Sequence, residues 1–186
     1  IVGKGYSQIA GVDYYETFAP TIAVKSLLML LHIAASEDME IKNLDISNAY
    51  LESPLDIDLY MELPRSEWVD NKRTVVKLLK SIYGLKQSGE LWNKRVNKIL
   101  ISGKFKRTHS DPCLCVKYGP NGSKILVGLY VDDIIYMSNS ESMMKDFEDL
   151  LSANVRKVQL LGEAKKFLGM EISRNRDKRT ISLKQT

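Results

Sequence analysis

Two adjacent aspartates, Asp132 and Asp133, lie between the apolar runs 125–131 and 134–137. Both runs are rich in β-branched residues and predict a hairpin of two strands, with Asp132-Asp133 as its turn. Two neighbouring carboxylates repel each other, and an ordinary hairpin turn favours Asn-Gly or Asp-Gly. A divalent cation such as Mg²⁺ relieves this repulsion because it takes oxygen ligands. The acidic pair therefore indicates either a metal site or a solvated surface loop.

A third carboxylate, Asp45, lies at the end of residues 40–46, which predict another strand. If this strand lies beside the hairpin, Asp45 and Asp132 share one edge of the sheet and bind metal together. Strand alternation turns Asp133 to the opposite face, which makes it the weaker ligand candidate. Such a site suits phosphoryl transfer, because two ions can hold both the attacking and the leaving oxygen.

The elements that must position these residues predict an α+β fold with a largely antiparallel sheet, since hairpins outnumber regular strand–helix–strand units. Residues 22–36 are apolar on almost every side and predict a buried helix. Residues 88–102 predict a second helix, with Ser88 as its N-cap and Gly103 as its stop. Met143, Phe147, Leu150 and Leu151 predict a third, amphipathic helix. Further strands are predicted over residues 59–61, 75–78, 155–158, 167–172 and 180–183.

Composition favours one folded domain over residues 1–186, with 44% hydrophobic and 27% charged residues. No apolar run reaches the roughly 18–20 residues that span a bilayer. The chain opens without an initiator Met or a targeting signal, and we expect a piece of a longer polypeptide. Cys113 and Cys115 are expected as small buried hydrophobes, and a zinc site with His109 is the alternative.

Charge is unevenly distributed along the chain. Residues 37–70 are dominated by acidic side chains, whereas residues 91–110 carry basic side chains and no acidic ones. This distribution suits a metal site beside a track for a polyanion, and two ordinary solvated faces are the alternative.

Several separated segments resemble the copia-type reverse transcriptases of LTR retrotransposons. Their order and spacing cover residues 3–184, nearly the whole chain. The segments are Lys4-Gly5-Tyr6-Ser7-Gln8, Gly11-Val12-Asp13-Tyr14, Glu16-Thr17-Phe18-Ala19-Pro20, Leu44-Asp45-Ile46-Ser47-Asn48-Ala49-Tyr50-Leu51, Leu59-Tyr60-Met61-Glu62, Lys80-Ser81-Ile82-Tyr83-Gly84-Leu85-Lys86-Gln87-Ser88 with Trp92, Tyr130-Val131-Asp132-Asp133, Leu161-Gly162-Glu163 and Lys166-Phe167-Leu168-Gly169-Met170-Glu171.

The resemblance implies a reverse-transcriptase palm, with an antiparallel sheet backed by helices, and part of the fingers. It implies an RNA-directed DNA polymerase that transfers a nucleotide from a dNTP to a primer 3′-hydroxyl. Asp45 and Asp132 would be the principal metal ligands, and Asp133 would complete the triad. The implied cofactors are two Mg²⁺ ions, with Mn²⁺ as a possible substitute.

The resemblance also implies residues that handle the substrates. Tyr50 would be a steric gate that excludes a 2′-hydroxyl. Gln87 and Lys86 would contact the incoming nucleotide, and Val131 would pack near the primer terminus. Phe167, Leu168 and Gly169 would form the primer grip, and Lys165 or Lys166 would protonate the leaving pyrophosphate. Without the resemblance, these residues suit a core tyrosine, a capping glutamine, a solvated lysine and an ordinary strand end.

The implied partners are an RNA template, a DNA primer, dNTPs and the rest of a Gag-Pol polyprotein, including integrase and RNase H, with no membrane. The implied location is a cytoplasmic virus-like particle whose parent element has nuclear access. The family's upstream basic segment and its thumb are expected outside this chain, and Glu90 replaces a common Arg. We therefore expect weak activity in isolation. The alternatives are a catalytically silent remnant or domesticated copy that only binds nucleic acid or protein, and a palm-fold cyclase or metal nuclease.

Overall fold

The computed structural model describes residues 1–185 and divides them into two compact units. The small unit comprises Ile1–Ala19 and Asn48–Val96, and the large unit comprises Pro20–Ser47 and residues 97–185. The elements, in chain order, are α1 (Val24–Ser36), β1 (Glu40–Ile46), β2 (Pro54–Glu62), β3 (Val75–Lys80), α2 (Ser88–Ser102), β4 (Lys106–Arg107), β5 (Leu114–Tyr118), β6 (Lys124–Tyr130), β7 (Asp133–Ser138), α3 (Glu141–Asn154), β8 (Val158–Glu163), β9 (Lys166–Phe167), β10 (Met170–Asn175) and β11 (Thr180–Gln185).

The large unit is built on a six-stranded sheet in the order β4-β5-β6-β7-β1-β8, and each neighbouring pair is antiparallel. A three-stranded antiparallel sheet follows in the order β11-β10-β9. The prediction of an α+β fold with a largely antiparallel sheet is therefore confirmed. The apolar strands β6 and β7 lie in the interior of the larger sheet, where most of their side chains are buried.

Helices cover both faces of this sheet. Gly128 on β6 lets Ile22, just before α1, approach the sheet, because a methyl group at Gly128 would lie 2.7 Å from the Ile22 side chain. On the opposite face, Phe147 of α3 packs against Tyr136 of β7, with ring centroids 5.0 Å apart. The Tyr136 hydroxyl donates to the carboxylate of Glu148, also on α3. The sheet is thus a layer between helices.

Helix α1 is more amphipathic than its sequence predicts. Leu27 and Leu31 are buried, whereas Leu28 and Met29 are about half exposed, at 45% and 50%. Its first turn is held by a carboxylate from elsewhere in the large unit: Asp111 accepts the N–H of Ala23 at 3.0 Å. The expectation of a helix buried on almost every side was therefore wrong, because this helix packs on one face of the sheet only.

Helix α2 has the predicted bounds but a different start. Ser88 lies within the helix, and its hydroxyl donates to the carbonyl of Ile82 at 2.6 Å. The carbonyl of Gln87 accepts the N–H of Leu91, so Gln87 occupies the capping position that was predicted for Ser88. Burial of Trp92, Val96 and Ile99 confirms the predicted apolar stripe.

Helix α2 ends at Ser102, so Gly103 follows its last residue as predicted. The left-handed residue is Lys104, with φ 64°, and the Phe105 N–H donates to the Leu100 carbonyl, as in a Schellman motif. Gly103 serves a different purpose, since a methyl group there would overlap the side chain of Leu150 on α3. The glycine is required for close helix packing and not for the left-handed turn.

The hairpin of β10 and β11 is attached to the end of α1 by arginines. Arg174 donates to the carbonyls of Ala34 and Met39 and pairs with Asp38 at 2.7 Å. Arg176 pairs with Asp38 at 3.0 Å and also with Glu40. Arg174 thus binds the turn between α1 and β1, in which the Ala34 carbonyl also accepts the Met39 N–H at 2.9 Å.

Two strand predictions in this region were wrong in detail. The strand expected over residues 155–158 begins only at Val158, and Val155 instead caps α3, where its N–H donates to the Leu151 carbonyl at 2.9 Å. The strand expected over residues 167–172 is interrupted at Leu168 and Gly169, whose φ values of 49° and 77° form a two-residue hairpin loop.

The small unit contains the β2–β3 hairpin, and β2 is longer than the predicted residues 59–61. Leu59 is its buried member, whereas Tyr60 is exposed. Segment 3–13 packs against the loop before α2, beginning with a 2.7 Å hydrogen bond from the Gly3 N–H to the Tyr83 carbonyl. The prediction of one domain over residues 1–186 stays a prediction.

Cys113 and Cys115 are free, buried cysteines, as expected for small hydrophobes. Burial raises the pKa of Cys113 to about 12 and that of Cys115 to about 11, which keeps both thiols protonated. Within residues 1–185, no group that includes these cysteines is arranged to hold a metal ion. No helix in the same range is long and apolar enough to cross a membrane.

Candidate active site

The acidic hairpin connects β6 to β7 through a loop of two residues, Val131 and Asp132, while Tyr130 and Asp133 pair across it. The predicted turn of Asp132-Asp133 is thus displaced by one residue, because Asp133 already belongs to the ladder. Val131 has φ 54°, which is rarely adopted by a β-branched residue. Such strain persists where surrounding structure enforces it, and it is common at functional sites.

Strand pairing brings the predicted carboxylates together. Asp45 on β1 is the direct antiparallel partner of Asp133 on β7, so both side chains project from the same face of the sheet. The Ile46 N–H donates to the Asp132 carbonyl at 3.0 Å, which attaches the loop to the end of β1. The ranking of Asp133 as the weaker ligand candidate assumed that strand alternation runs through both aspartates, and it does not, because Asp132 lies in the loop.

Asp133 is affected by burial and by the two neighbouring carboxylates. Burial, and then the negative charges of Asp132 and Asp45, raise the pKa of Asp133. Each of the three side chains is half-buried. The Ser47 hydroxyl donates to Asp45 Oδ2 over a long 3.4 Å. The site thus concentrates negative charge at one end of the sheet.

The donor set fits Mg²⁺ in kind, because all three side chains offer hard carboxylate oxygens. Within residues 1–185, no three His, Cys, Asp or Glu side chains are already arranged to surround one ion. Mg²⁺ is usually held by one or two carboxylates together with waters and substrate phosphates. The metal-ligand roles of Asp45, Asp132 and Asp133 stay a prediction.

One further polar residue lies in the carboxylate row. Gln159 on the edge strand β8 is the other antiparallel partner of Asp45. The direct partners Tyr130, Asp133, Asp45 and Gln159 therefore lie in one line across four strands, on one face. Sequence analysis missed Gln159, because β8 was predicted to begin and end too early.

The expected sugar gate lies in the small unit. Tyr50 is half-buried within a short 3-10 helix, Ala49–Glu52. Its ring packs against that of Tyr83, with centroids 4.6 Å apart and planes inclined by 53°. Aromatic pairs of this kind prefer tilted geometry. Tyr83 was quoted within a matching segment but received no role, and its aromatic contact gives it one in holding Tyr50.

The expected nucleotide contacts Lys86 and Gln87 immediately precede α2. The Lys86 side chain is exposed, whereas Gln87 is only 2% exposed. The Gln87 amide accepts from Gln8 at 3.1 Å and donates to the Asp13 carbonyl at 2.9 Å. A primary amide has two donor hydrogens and two acceptor lone pairs, so half of the hydrogen-bonding capacity of Gln87 is used by these two bonds.

The expected primer-grip residues form the β9–β10 turn. Phe167 is buried, and Leu168 and Gly169 form the loop. Both lysines that precede them, Lys165 and Lys166, are exposed. The Lys166 carbonyl accepts from the Asn43 side chain at 3.2 Å, which connects this hairpin to β1, the strand that carries Asp45. The roles in primer binding and proton transfer stay predictions.

Comparisons with known proteins agree with this arrangement. A family model described as "Reverse transcriptase (RNA-dependent DNA polymerase)" matches residues 1–186. The chain belongs to the reverse transcriptase family. The copia-type resemblance is confirmed by its curated relatives.

The reverse transcriptase relatives include the retrovirus-related Pol polyprotein from transposon TNT 1-94 of Nicotiana tabacum, which is 35% identical over 186 residues, 100% of this chain and 14% of that protein. The corresponding polyprotein from transposon RE1 of Arabidopsis thaliana is 36% identical over 94% of this chain and 12% of its own length. The transposon Ty1-BL Gag-Pol polyprotein of Saccharomyces cerevisiae is 30% identical over 85% and 9%. The chain thus spans about a seventh or less of these relatives.

Glu90, which departs from the usual reverse transcriptase pattern, has a local partner. It lies in the first turn of α2, is buried, and forms an ion pair with Lys94 one turn later. Hydrogen bonding to Glu90 raises the pKa of Lys94. An acid in this position is also favoured by the helix dipole. The reversed charge is therefore compensated within the helix.

Proposed function

We propose that this chain is the polymerase centre of a retrotransposon Pol polyprotein and extends a DNA primer along an RNA template. The observation that carries the proposal is the strained Val131–Asp132 loop, which sets Asp132 beside β1 and Asp133 opposite Asp45. Membership of the reverse transcriptase family supports the same chemistry. We assign the large unit to the palm and the small unit to part of the fingers.

Asp45, Asp132 and Asp133 would hold two Mg²⁺ ions, or Mn²⁺ in their place. When bound, such ions stabilise negative charge on the attacking and leaving oxygens of an in-line displacement. The pKa of Asp133 is raised first by burial and then by the negative charges of Asp132 and Asp45, and the repulsion from these two charges supports this assignment. It is the repulsion that a hard cation would relieve.

In the proposed reaction the primer 3′-oxygen bonds to the α-phosphorus of the dNTP, and the bond from that phosphorus to pyrophosphate breaks. The 3′-hydroxyl proton passes to solvent, and Lys165 or Lys166 protonates the leaving pyrophosphate. Both lysines are exposed beside the β9–β10 turn. The turn residues Phe167, Leu168 and Gly169 would grip the primer, and Val131 would pack against its terminus.

Nucleotide selection would fall to residues of the small unit. Tyr50 would leave no room for a 2′-hydroxyl, and its contact with Tyr83 would restrict the movement of the Tyr50 ring. Lys86 would face the triphosphate with its exposed ammonium group. Gln87 would use the part of its amide that Gln8 and Asp13 leave available.

The polyprotein setting follows from the relatives, which are named as Pol or Gag-Pol polyproteins. We propose that the chain acts beside RNase H and integrase regions, with activity that is weak in isolation. The proposed location is a cytoplasmic virus-like particle, from which the DNA product reaches the nucleus for integration.

Primer extension tests the proposal. The parent polyprotein, and separately this chain, would extend oligo(dT) on poly(rA) with dTTP and Mg²⁺. We expect extension by the parent that collapses in Asp132→Asn. An Asp146→Asn variant, which alters an exposed acid on α3, serves as the matched control. Equal extension by wild type and Asp132→Asn would refute the metal assignment, and no extension by a folded parent would favour a silent nucleic-acid-binding copy.

A further inference from the structure

At one end of the loop before α2, glycines of segment 3–13 and of the loop bring the two main chains into close contact. A methyl group at Gly5 would overlap the carbonyl oxygen of Gly84, and one at Gly84 would overlap that of Gly3. Gly84 also has φ 95°, a conformation that glycine adopts without strain. The two segments therefore meet backbone to backbone, which leaves the loop little freedom at this end.

At the other end of the loop, one side chain contacts two consecutive residues. The Gln8 carbonyl oxygen accepts the Lys86 N–H at 2.8 Å, while its amide nitrogen donates to Gln87 Oε1 at 3.1 Å. Gln87 in turn donates to the Asp13 carbonyl at 2.9 Å, and Asp13 accepts the Ile9 N–H at 2.7 Å. Gln8 thus connects segment 3–13 to both residues proposed to contact the nucleotide.

The geometry of this contact matters because the two residues have opposite environments. Lys86 is exposed and Gln87 is buried. The Gln8 side chain binds the main-chain N–H of Lys86 and the side-chain oxygen of Gln87 at the same time, so it restrains both residues together. A loop that is already restrained loses less conformational entropy when a ligand binds.

We propose that Gln8 is a positioning residue for nucleotide binding, acting through Lys86 and Gln87. The inference rests on the proposed function, because it requires that these two residues receive a dNTP. Gln8 is not expected to touch the nucleotide. Its loss should therefore weaken the capture of dNTP while the chemical step and the binding of template and primer are retained.

A matched pair of variants separates positioning from general stability. Gln8→Met keeps the length of the side chain and removes both hydrogen bonds. Thr74→Val lies in the same unit and also removes two, because the Thr74 hydroxyl accepts the Val69 N–H at 2.9 Å and donates to the Lys72 carbonyl at 2.8 Å. Thr74 belongs to the β2–β3 connection and contacts neither Lys86 nor Gln87 through these bonds.

Steady-state extension of oligo(dT) on poly(rA) by the parent polyprotein would be measured against dTTP concentration. We expect Gln8→Met to raise the KM for dTTP by roughly tenfold, the scale of one lost hydrogen bond, with kcat and the Kd for template–primer within about twofold. Thr74→Val should leave the KM unchanged. In a Lys86→Met background, Gln8→Met should raise the KM much less, because the group it positions is gone.

Amide hydrogen exchange of this chain gives a readout that does not depend on catalysis. Exchange of the Lys86 N–H should accelerate in Gln8→Met and not in Thr74→Val. An unchanged KM, or an equal rise in both variants, would overturn the inference, and so would unchanged exchange. If wild type shows no Asp132-dependent extension, the proposed function itself has failed, and the positioning role fails with it even where exchange responds. If Gln8→Met does not fold, Gln8→Glu replaces it. This variant keeps the acceptor for Lys86 and loses the donor to Gln87, so it is judged by the KM for dTTP alone, and an unchanged KM overturns the inference.

Discussion

The carboxylate row of the large unit and the loop before α2 in the small unit are held in place by different means. Asp45 and Asp133 owe their positions to strand pairing, in which the pairs from Glu40 with Ser138 to Asp45 with Asp133 all fix the same register. Lys86 and Gln87 owe theirs to one glutamine and to contacts between glycines. The first arrangement is distributed over many hydrogen bonds, whereas the second is concentrated in a few residues. A single substitution in the carboxylate row should therefore lower activity without lowering stability. A single substitution at the loop before α2 should lower stability.

The largest difference between the effect on activity and the effect on stability is expected at Asp133. Asp133→Asn should lower polymerase activity by about a thousandfold, since a lost charge interaction of several kcal/mol has that effect on the rate. The same change removes a like-charge pair opposite Asp45, so the free energy of unfolding should rise by about 0.5–1 kcal/mol. Primer extension and urea unfolding of the same preparations test this, with Asp146→Asn as the control. A fall in stability that parallels the loss of activity would show that the register depends on the carboxylate.

The second test concerns the small unit, where stability should respond to a single methyl group. Gly84→Ala should lower the free energy of unfolding by about 3 kcal/mol, because the new methyl group overlaps the Gly3 carbonyl and the backbone conformation becomes strained. Gly11→Ala is the control: Gly11 has φ 80° but no neighbour within 4 Å, so only about 1 kcal/mol of backbone strain is expected. Equal losses in urea unfolding would mean that the close approach contributes nothing.

The third test concerns Tyr50, the proposed sugar gate of the small unit. Tyr50→Ala should reduce discrimination against ribonucleotides by about tenfold to a hundredfold, because the space below the sugar is opened. Tyr60→Ala, at an exposed tyrosine of β2, should leave discrimination unchanged. The measurement is the ratio of kcat/KM for dTTP and UTP on poly(rA). Unaltered discrimination in Tyr50→Ala would remove the gate from the mechanism.

The smallest effect on stability is expected at Asp111 in the large unit. Its side chain accepts the N–H of Ala23 at the start of α1. Burial alone would raise its pKa, but hydrogen bonds from the Ser26 side chain and from the Ala23 and Cys113 amides lower it below its usual value of 3.8. The resulting stability is present above that value and is lost as pH falls through the folded pKa. Asp111→Asn should cost about 1–2 kcal/mol in urea unfolding at pH 7, and the difference should shrink below pH 3.8. Asp149→Asn, at an exposed acid of α3, should show neither effect.

The distributed region was also the more predictable one. Alternation and apolar runs predicted the bounds of β1 and α2 and the position of the acidic hairpin within one residue. They did not predict which aspartate enters β7, because that depends on the pairing of Tyr130 with Asp133, and a shift of one residue moves side chains to the other face. The position of Gln159 beside Asp45 was not predicted for the same reason, since it depends on the register of β8.

The contacts of Gln8 with the loop before α2 could not be predicted from the sequence. Gln8 is 78 positions from Lys86, and neither periodicity nor turn chemistry relates them. Gly103 illustrates the same difficulty at shorter range: it predicted the end of α2 correctly, yet the left-handed residue there is Lys104, while Gly103 makes room for Leu150. A glycine in a sequence does not reveal whether its backbone angles or its missing side chain is required.

The attachment of the β10–β11 hairpin to α1 should depend on ionic strength, because arginines on the hairpin form part of it through ion pairs. Arg176 and its acidic partners are 44% to 55% exposed, and salt shortens the reach of exposed charges from about 10 Å at 0.1 M to about 3 Å at 1 M. Arg174 is only 10% exposed and also donates to main-chain carbonyls, so it responds less. Rising salt should therefore weaken the ion pairs of Arg176 before it weakens the contacts of Arg174. The hairpin should become more mobile at its Arg176 end while Arg174 still holds it to α1.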